Sequence, residues 1–442
     1  MQPSPRLIES FHRALAQPLL INGEETFTGA SLLARIQQKS QALAGYSGTC
    51  VICVSSEPED ILAFLCLPAE IDVSVLLVPD YLDRDVPALV QTVGASAIIR
   101  SHRVTALDRT NSIRRAGDEV LLLTSGTTAK PKVIRHKWHT LFARIRPPQQ
   151  DGERVWLLTY LPTTFAGIQV LLTAAIAGDR IVRAAQVYTQ TLAIASEQGV
   201  THLSCTPTFL RALIAAGASN LMLPCLKQIT LGGEIADQRT LNAARDRFPT
   251  ARIAHIYAAT ETGALFSVSD GREGFPDNWL HDGIEEVRLR IVDDALQVNS
   301  PRAMIAYAGD DPVSAGTDKD WIDTGDLVRT EHDRVLFVGR RDRRINVGGS
   351  KTLPEDVERA ILEVPGVADA VVTGVPNPIS GEIVFAEVVP AEGNDLEELR
   401  QRIFAHIRGS LANHQIPRIL RFTTNIPLSP SGKKTTTIQS TP

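Results

Sequence analysis

Residues 124–132 read Thr-Ser-Gly-Thr-Thr-Ala-Lys-Pro-Lys and follow directly on the apolar run Val120 to Leu123. A strand that ends this way delivers a flexible, hydroxyl-rich loop flanked by Lys130 and Lys132. Such a loop suits an anion. Gly126 lets the backbone aim several amide N–H groups at one point, while the hydroxyls of Thr124, Ser125, Thr127 and Thr128 add donors and the lysines add charge. The expected ligand is a phosphate group. The pattern is not the common phosphate loop G-x-x-x-x-G-K-[ST], whose lysine stands just ahead of a helix. A polar turn between two strands would use the same residue types.

Four more stretches follow in order: YAATETG (Tyr257 to Gly263), DTGDL (Asp323 to Leu327), GRRDRRINVGGSKTLPEDVE (Gly339 to Glu358) and PLSPSGKK (Pro427 to Lys434). Together with the loop at 124–132, this series resembles the adenylate-forming (AMP-binding) superfamily, which includes acyl-CoA synthetases, aryl acid ligases, nonribosomal peptide adenylation domains and luciferases. Two departures stand out. Ala129 replaces the glycine usual in the family loop, and fewer residues precede that loop than in most members. More weakly, the stretch INGEETFTGASLLARIQQKSQALAG is similar to the family's opening strand and helix.

The resemblance implies a reaction and assigns residues to it. ATP would activate a carboxylate as an acyl-adenylate, and a phosphopantetheine thiol would then take the acyl group. Charge builds at the α-phosphate as two anions are brought together, so cations must be aimed there. Lys433 matches the catalytic lysine by its spacing after Pro430, Ser431 and Gly432, in preference to Lys434, and Lys132 would assist it. Thr124, Ser125, Gly126, Thr127, Thr128, Gly233, Tyr257, Thr260, Asp326 and Arg340 would hold ATP or AMP. Tyr257 would flank adenine, and Asp326 would accept from the ribose hydroxyls. Glu261 matches the Mg²⁺ ligand, and Mg²⁺ usually takes one or two protein carboxylates with phosphate oxygens and water. Asp342 matches the hinge between a large domain, 1–339, and a small mobile one, 340–442. Gly349 would flank the pantetheine tunnel, exposed when the small domain rotates.

The same resemblance bears on the acid. Members that activate amino acids carry an aspartate just after a phenylalanine, whereas here Ala166 follows Phe165. An unpaired substrate ammonium would be costly to bury, so an α-amino acid is not expected. The ring of Phe165 at the pocket mouth suits an aryl or a short-to-medium acyl acid, with Gly232 and Ala258 lining the same pocket. A Gly232-Gly233 turn beside Glu234 is equally an ordinary loop. The chain ends nine residues after Lys433, so the acceptor is expected to be separate, either coenzyme A or a free acyl carrier protein. Two alternatives stay open: an enzyme that stops at the acyl-adenylate, and a nucleotide-binding module without catalysis.

These residues need a scaffold, and the chain supplies one of the α/β class. Of its 442 residues 43% are hydrophobic and 21% charged, enough for more than one core. A net charge of -5 gives no case for a nucleic-acid partner. Up to about residue 260, apolar runs such as VWLLTYL, THLSCTP and LKQITLGGE alternate with Ala- and Leu-rich helical stretches. This alternation predicts helix-covered parallel sheets. Residues 264–338 read as a β-rich subdomain of short strands and turns, and the segment after Gly339 as a small α+β unit. In that unit Pro354 opens a helix, and Leu396, Leu399, Ile403, Phe404, Ile407 and Leu411 share one face of another.

The N-terminus lacks an apolar signal-peptide core. The most apolar stretch, Ile61 to Pro79, reads as a buried helix and strand rather than a membrane span. Five scattered cysteines point to a reducing cytoplasm, with Cys50 and Cys53 as buried structural thiols rather than a metal or redox pair. His136, His139 and His255 are expected to be structural or solvent-facing.

Overall fold

The computed structural model describes residues 4–108, 119–124, 131–145, 153–217, 223–309, 321–427 and 434. Packing divides the chain into two compact units. The first takes Met1–Arg272, Ile284–Val287 and Asn299–Ile322, and the second takes Glu273–Gly283, Arg288–Val298 and Asp323–Pro442.

Two sheets build the first unit. In the seven-stranded sheet, Cys50–Val54 lies between Ser74–Val78 and Ala95–Arg100 and runs parallel to both. Glu119–Thr124 continues the parallel set beside Ser74–Val78, and Lys132–Lys137 turns back antiparallel, pairing Thr124 with Lys132. Every residue of Cys50–Val54 and Ser74–Val78 is buried, as expected for strands covered on both faces. Val51 and Cys53 pack with Ile61, Phe64 and Leu65 of the helix Pro58–Ile71. Cys50, Ile52 and Val54 pack with Val86, Leu89 and Val93 of the helix Val86–Val93. Residues three apart in a strand point to opposite faces, so Cys50 and Cys53 enter different cores and do not form one chelating pair.

The eight-stranded sheet has six parallel strands, in the order Arg252–Ala259, Gln228–Gly232, His202–Cys205, Val155–Leu158, Arg180–Arg183 and Pro18–Asn22. Gly263–Val268 and Glu25–Thr28 are antiparallel edges. Two of its helices start at side-chain caps that satisfy free N–H groups. The Thr164 hydroxyl accepts from Gly167 ahead of Phe165–Ala177, and that of Thr206 accepts from Phe209 ahead of Pro207–Ala216.

The second unit is also built on two sheets. Phe275–Pro276, Arg334–Arg340, Ile322–Glu331, Ala295–Asn299 and Arg288–Val292 form a five-stranded sheet. The long hairpin of Val367–Asn377 and Gly381–Pro390 forms the other, with the short strands Ile345–Val347, Ser350–Thr352 and Ile419–Phe422. Val357 and Ile361 of Pro354–Leu362 and Leu399, Ile403 and Ile407 of Leu396–Ser410 cover this hairpin and are fully buried. Leu396, expected on the same apolar face, is 46% exposed. It is the first residue after the cap Asp395, whose carboxylate accepts from Glu397 and Glu398, and the helix meets its core only from Leu399 onward. Among the described residues, no helix is long and apolar enough to cross a membrane.

Candidate active site

Parallel strands end together, and in open α/β sheets ligands bind outside those carboxyl ends. In the eight-stranded sheet the register aligns Leu158 with Ser204, Cys205 with Leu231, and Gly232 with Ile256. The residues that follow therefore share one edge: Tyr160, Thr206, Gly233, Tyr257 and Ala258. Gly233 has φ +83°, a conformation that favours glycine. A side chain at Gly232 would reach only ordinary contact with the Tyr160 hydroxyl, 3.6 Å away, so neither space nor backbone strain requires glycine there. Tyr160 is buried and donates its hydroxyl to the Gly232 carbonyl at 3.2 Å. Burial pushes the phenol well above its ordinary range and keeps it a donor. Glu234 accepts the backbone N–H of Thr208 at 3.0 Å and so serves the start of a helix.

Tyr257 packs on Phe266 with ring centroids 5.4 Å apart. A register shift between Tyr257 and Ala258 begins the turn that carries Thr260 and Glu261. That turn is fixed from three sides. His136 Nε2 lies 2.5 Å from the Thr260 carbonyl, the Glu261 carbonyl accepts from Met304 at 2.9 Å, and Gly263, at φ +74°, sits against the backbone of Arg302. The buried Arg302 guanidinium donates to the carbonyls of Ala264 and Leu265. Thr124, at the end of the strand Glu119–Thr124, donates its hydroxyl to Glu261 Oε1 at 3.5 Å. The end of one sheet thus meets the turn that closes the other. Lys132, paired with Thr124 across the hairpin, is exposed, with its ammonium 5.4 Å from the Tyr307 ring. Ser125, Gly126, Thr127, Thr128 and Lys433 lie outside the described residues.

His136 is fully buried. A carbonyl can only accept, so Nε2 carries the proton and Nδ1 faces the Thr140 hydroxyl at 3.1 Å. Burial lowers the imidazole to about 4, against the opposing effect of the Thr260 bond. The ring lies 6.0 Å from that of Phe165, itself buried at the first position of its helix. His136 therefore links Phe165 to the Thr260–Glu261 turn. Its place in the otherwise alternating strand KVIRHK marks it as inward-facing, but its partner is 124 residues away. His139 is exposed, and His255 Nε2 lies 3.1 Å from the Arg272 carbonyl.

In the second unit, Asp326 is opposite Arg340 in the strand pair, with Oδ1 3.5 Å from Nη1. Arg340 also donates to both carboxylate oxygens of Asp342, at 3.1 and 3.2 Å. Asp323 pairs with Arg341 at 2.8 Å. Gly349, at φ +88°, forms a hairpin turn with open space beside it, and its N–H donates to Asn346.

Family models match two stretches of the chain, the AMP-binding enzyme model over residues 118–303 and the AMP-binding enzyme C-terminal domain over 356–433. The chain is 25% identical to the medium/long-chain-fatty-acid–[acyl-carrier-protein] ligase FadD10 of Mycobacterium tuberculosis, across 93% of this chain and 82% of that one. It is 25% identical to the mitochondrial acyl-coenzyme A synthetase ACSM4 of Rattus norvegicus, across 74% and 62%. The fold is similar to that of the anthranilate CoA ligase AuaEII in complex with anthranoyl-AMP, with a TM-score of 0.78, 18% identity, and coverage of 98% and 95%. It is also similar to that of the amide bond synthetase McbA of Marinactinospora thermotolerans, with a TM-score of 0.71, 21% identity, and coverage of 98% and 97%. With both family models in chain order over more than half its length, on a scaffold that sets the Thr124 hairpin against Glu261, the chain belongs to the AMP-binding, adenylate-forming enzymes.

Proposed function

We propose that the protein is an AMP-forming acid–thiol ligase. In the first step a carboxylate oxygen bonds to the α-phosphorus of ATP and the bond to pyrophosphate breaks. In the second, a thiol sulfur attacks the acyl carbonyl, the bond to AMP breaks, and the thiol proton is released. The observation that carries this reading is the contact of Thr124 with Glu261, which joins the end of the Glu119–Thr124 strand to a carboxylate in the turn after Arg252–Ala259.

The chain's own residues divide the work. Ser125, Gly126, Thr127 and Thr128 wrap the phosphates between Thr124 and Lys132. Tyr257 flanks adenine, with Gly233 and Thr260 alongside, and Asp326 holds the ribose, helped by Arg340. Lys433 meets the charge that grows between carboxylate and α-phosphate. Glu261 with the Thr124 hydroxyl supplies two oxygen donors, which suits Mg²⁺ brought in by the nucleotide rather than a closed protein cage. Among the described residues no cluster of three or more His, Cys, Asp or Glu could hold a metal by itself. When bound, Mg²⁺ would neutralise phosphate charge.

The acyl group lies over Gly232 and Ala258, near Phe165. No acid lies in YLPTTFAGIQV, where Ala166 follows Phe165, to pair an ammonium, so the substrate is an aryl or short-to-medium acyl acid. Residues 1–339 form the large domain and 340–442 the lid, which turns at Asp342 to bring Gly349 to the thiol channel. The acceptor is coenzyme A or a free acyl carrier protein, and the cytoplasm is the compartment in keeping with five free cysteines.

The test is pyrophosphate release with ATP and Mg²⁺ against benzoate, salicylate, butyrate, hexanoate and octanoate. Each is run with coenzyme A, with phosphopantetheinylated carrier protein, or with neither. Release that one acid starts and one thiol accelerates is the expected result. Silence across the panel while ATP binds would make the chain a nucleotide-binding module.

A further inference from the structure

The motif PLSPSGKK ends in two adjacent lysines, and the structure gives the second one a partner. Lys434 Nζ donates to Asp369 Oδ1 at 2.6 Å and to the Ala370 carbonyl at 2.8 Å. The Lys434 side chain is only 11% exposed and that of Asp369 19%. Asp369 is itself fixed. Its Oδ1 also accepts the Ala370 N–H at 2.9 Å, and it stands where the register of the long hairpin shifts, between Val367 and Asp369. Such shifts re-aim one side chain out of the regular alternation. Ala370 is fully buried in the core of this sheet.

An ammonium has three protons. Two of those on Lys434 are committed to the hairpin, so this lysine is not the one that reaches the nucleotide. Consecutive Cα atoms of any trans-linked chain stand about 3.8 Å apart, and Asp369, Ala370 and Lys434 all belong to the second unit.

We propose that Lys434 is a positioning residue: its ion pair with Asp369 anchors the end of the C-terminal motif at the Val367–Asn377 strand and so restrains the adjacent Lys433 for the first half-reaction. The inference rests on the catalytic role proposed above for Lys433. A charge-assisted, largely buried pair holds its geometry better than an exposed one. A displacement of about 1 Å at a reacting group can cost roughly a hundredfold in rate.

The test uses the full chain with Asp369→Asn, Lys434→Met and the double variant. Three quantities are read: pyrophosphate release from ATP with the best acid of the panel above, thioester formation from a supplied acyl-adenylate, and hydrogen exchange of peptides spanning residues 423–442. Each single variant should lower kcat for pyrophosphate release by about 10- to 100-fold, change thioester formation by less than about threefold, and speed exchange in that segment. The double variant should lose no more than either single, because both remove one interaction. Equal loss of both half-reactions, or losses that multiply in the double variant, would overturn the proposal. If Asp369→Asn fails to fold, Lys434→Met decides alone. If the unaltered protein releases no pyrophosphate with any acid, the ligase reading falls, and exchange still judges the tie: unchanged rates in the variants overturn it, faster rates uphold it.

Discussion

Acidification should weaken this protein through one histidine. His136 is fully buried, and its Nε2 proton is committed to the Thr260 carbonyl. Burial lowers it from 6.5 to about 4. Between those values the unfolded chain binds a proton that the folded chain refuses. Stability is therefore fully present above pH 6.5 and is lost as pH falls toward 4, below which the loss is complete. One pKa unit is worth 1.36 kcal/mol, so the linkage amounts to about 2 kcal/mol by pH 5 and roughly 3 kcal/mol by pH 4. Carboxylates contribute to acid sensitivity as well, so the assay must be differential. Urea midpoints of the unaltered protein and of His136→Gln, measured from pH 7.5 to 4.5, isolate the imidazole. The variant should start less stable, having lost a fitted ring beside Phe165, and the gap should close by about 2 kcal/mol on reaching pH 5. Parallel curves, or a His136 resonance titrating near 6.5, would refute the argument from burial.

Gly263→Ala should cost about 2 to 4 kcal/mol by urea unfolding, since φ is +74° and the new carbon would lie 2.5 Å from the Arg302 carbonyl oxygen. Gly349→Ala, also at positive φ but in open space, should cost only about 1 kcal/mol, and equal costs would show that backbone conformation alone governs both. Tyr160→Ala should move kcat/KM toward longer acids by roughly tenfold or more, and an unchanged preference would take the acyl group away from Gly232. Lys433→Ala should slow pyrophosphate release by at least about a hundredfold while sparing thioester formation from supplied acyl-adenylate, and equal loss of both would contradict domain alternation.

Local sequence carried much of this molecule. Apolar runs such as Cys50–Val54 and Ser74–Val78 can be read as strands because a strand buried on both faces needs no polar alternation. Gly233, Gly263 and Gly349 all adopt positive φ, which few residues other than glycine accept. The motif from Thr124 to Lys132 suits an anion by composition but equally a polar turn, and it is its order with YAATETG, DTGDL and PLSPSGKK that marks the family. Leu396 shows the limit of periodicity, since a helix face tells where a residue lies on the cylinder but not how far the opposing core extends.

What only the tertiary structure decided are the contacts between residues far apart in the chain. Nothing in KVIRHK says that His136 reaches the carbonyl of Thr260, nor in TYLPTTF that Tyr160 donates to Gly232, because the first contact is made between two sheets and the second by strand order within one. Adjacent lysines in PLSPSGKK are equivalent as letters. They become different residues only when Asp369, which stands at a register shift 65 positions earlier, takes the ammonium of Lys434 into a largely buried ion pair.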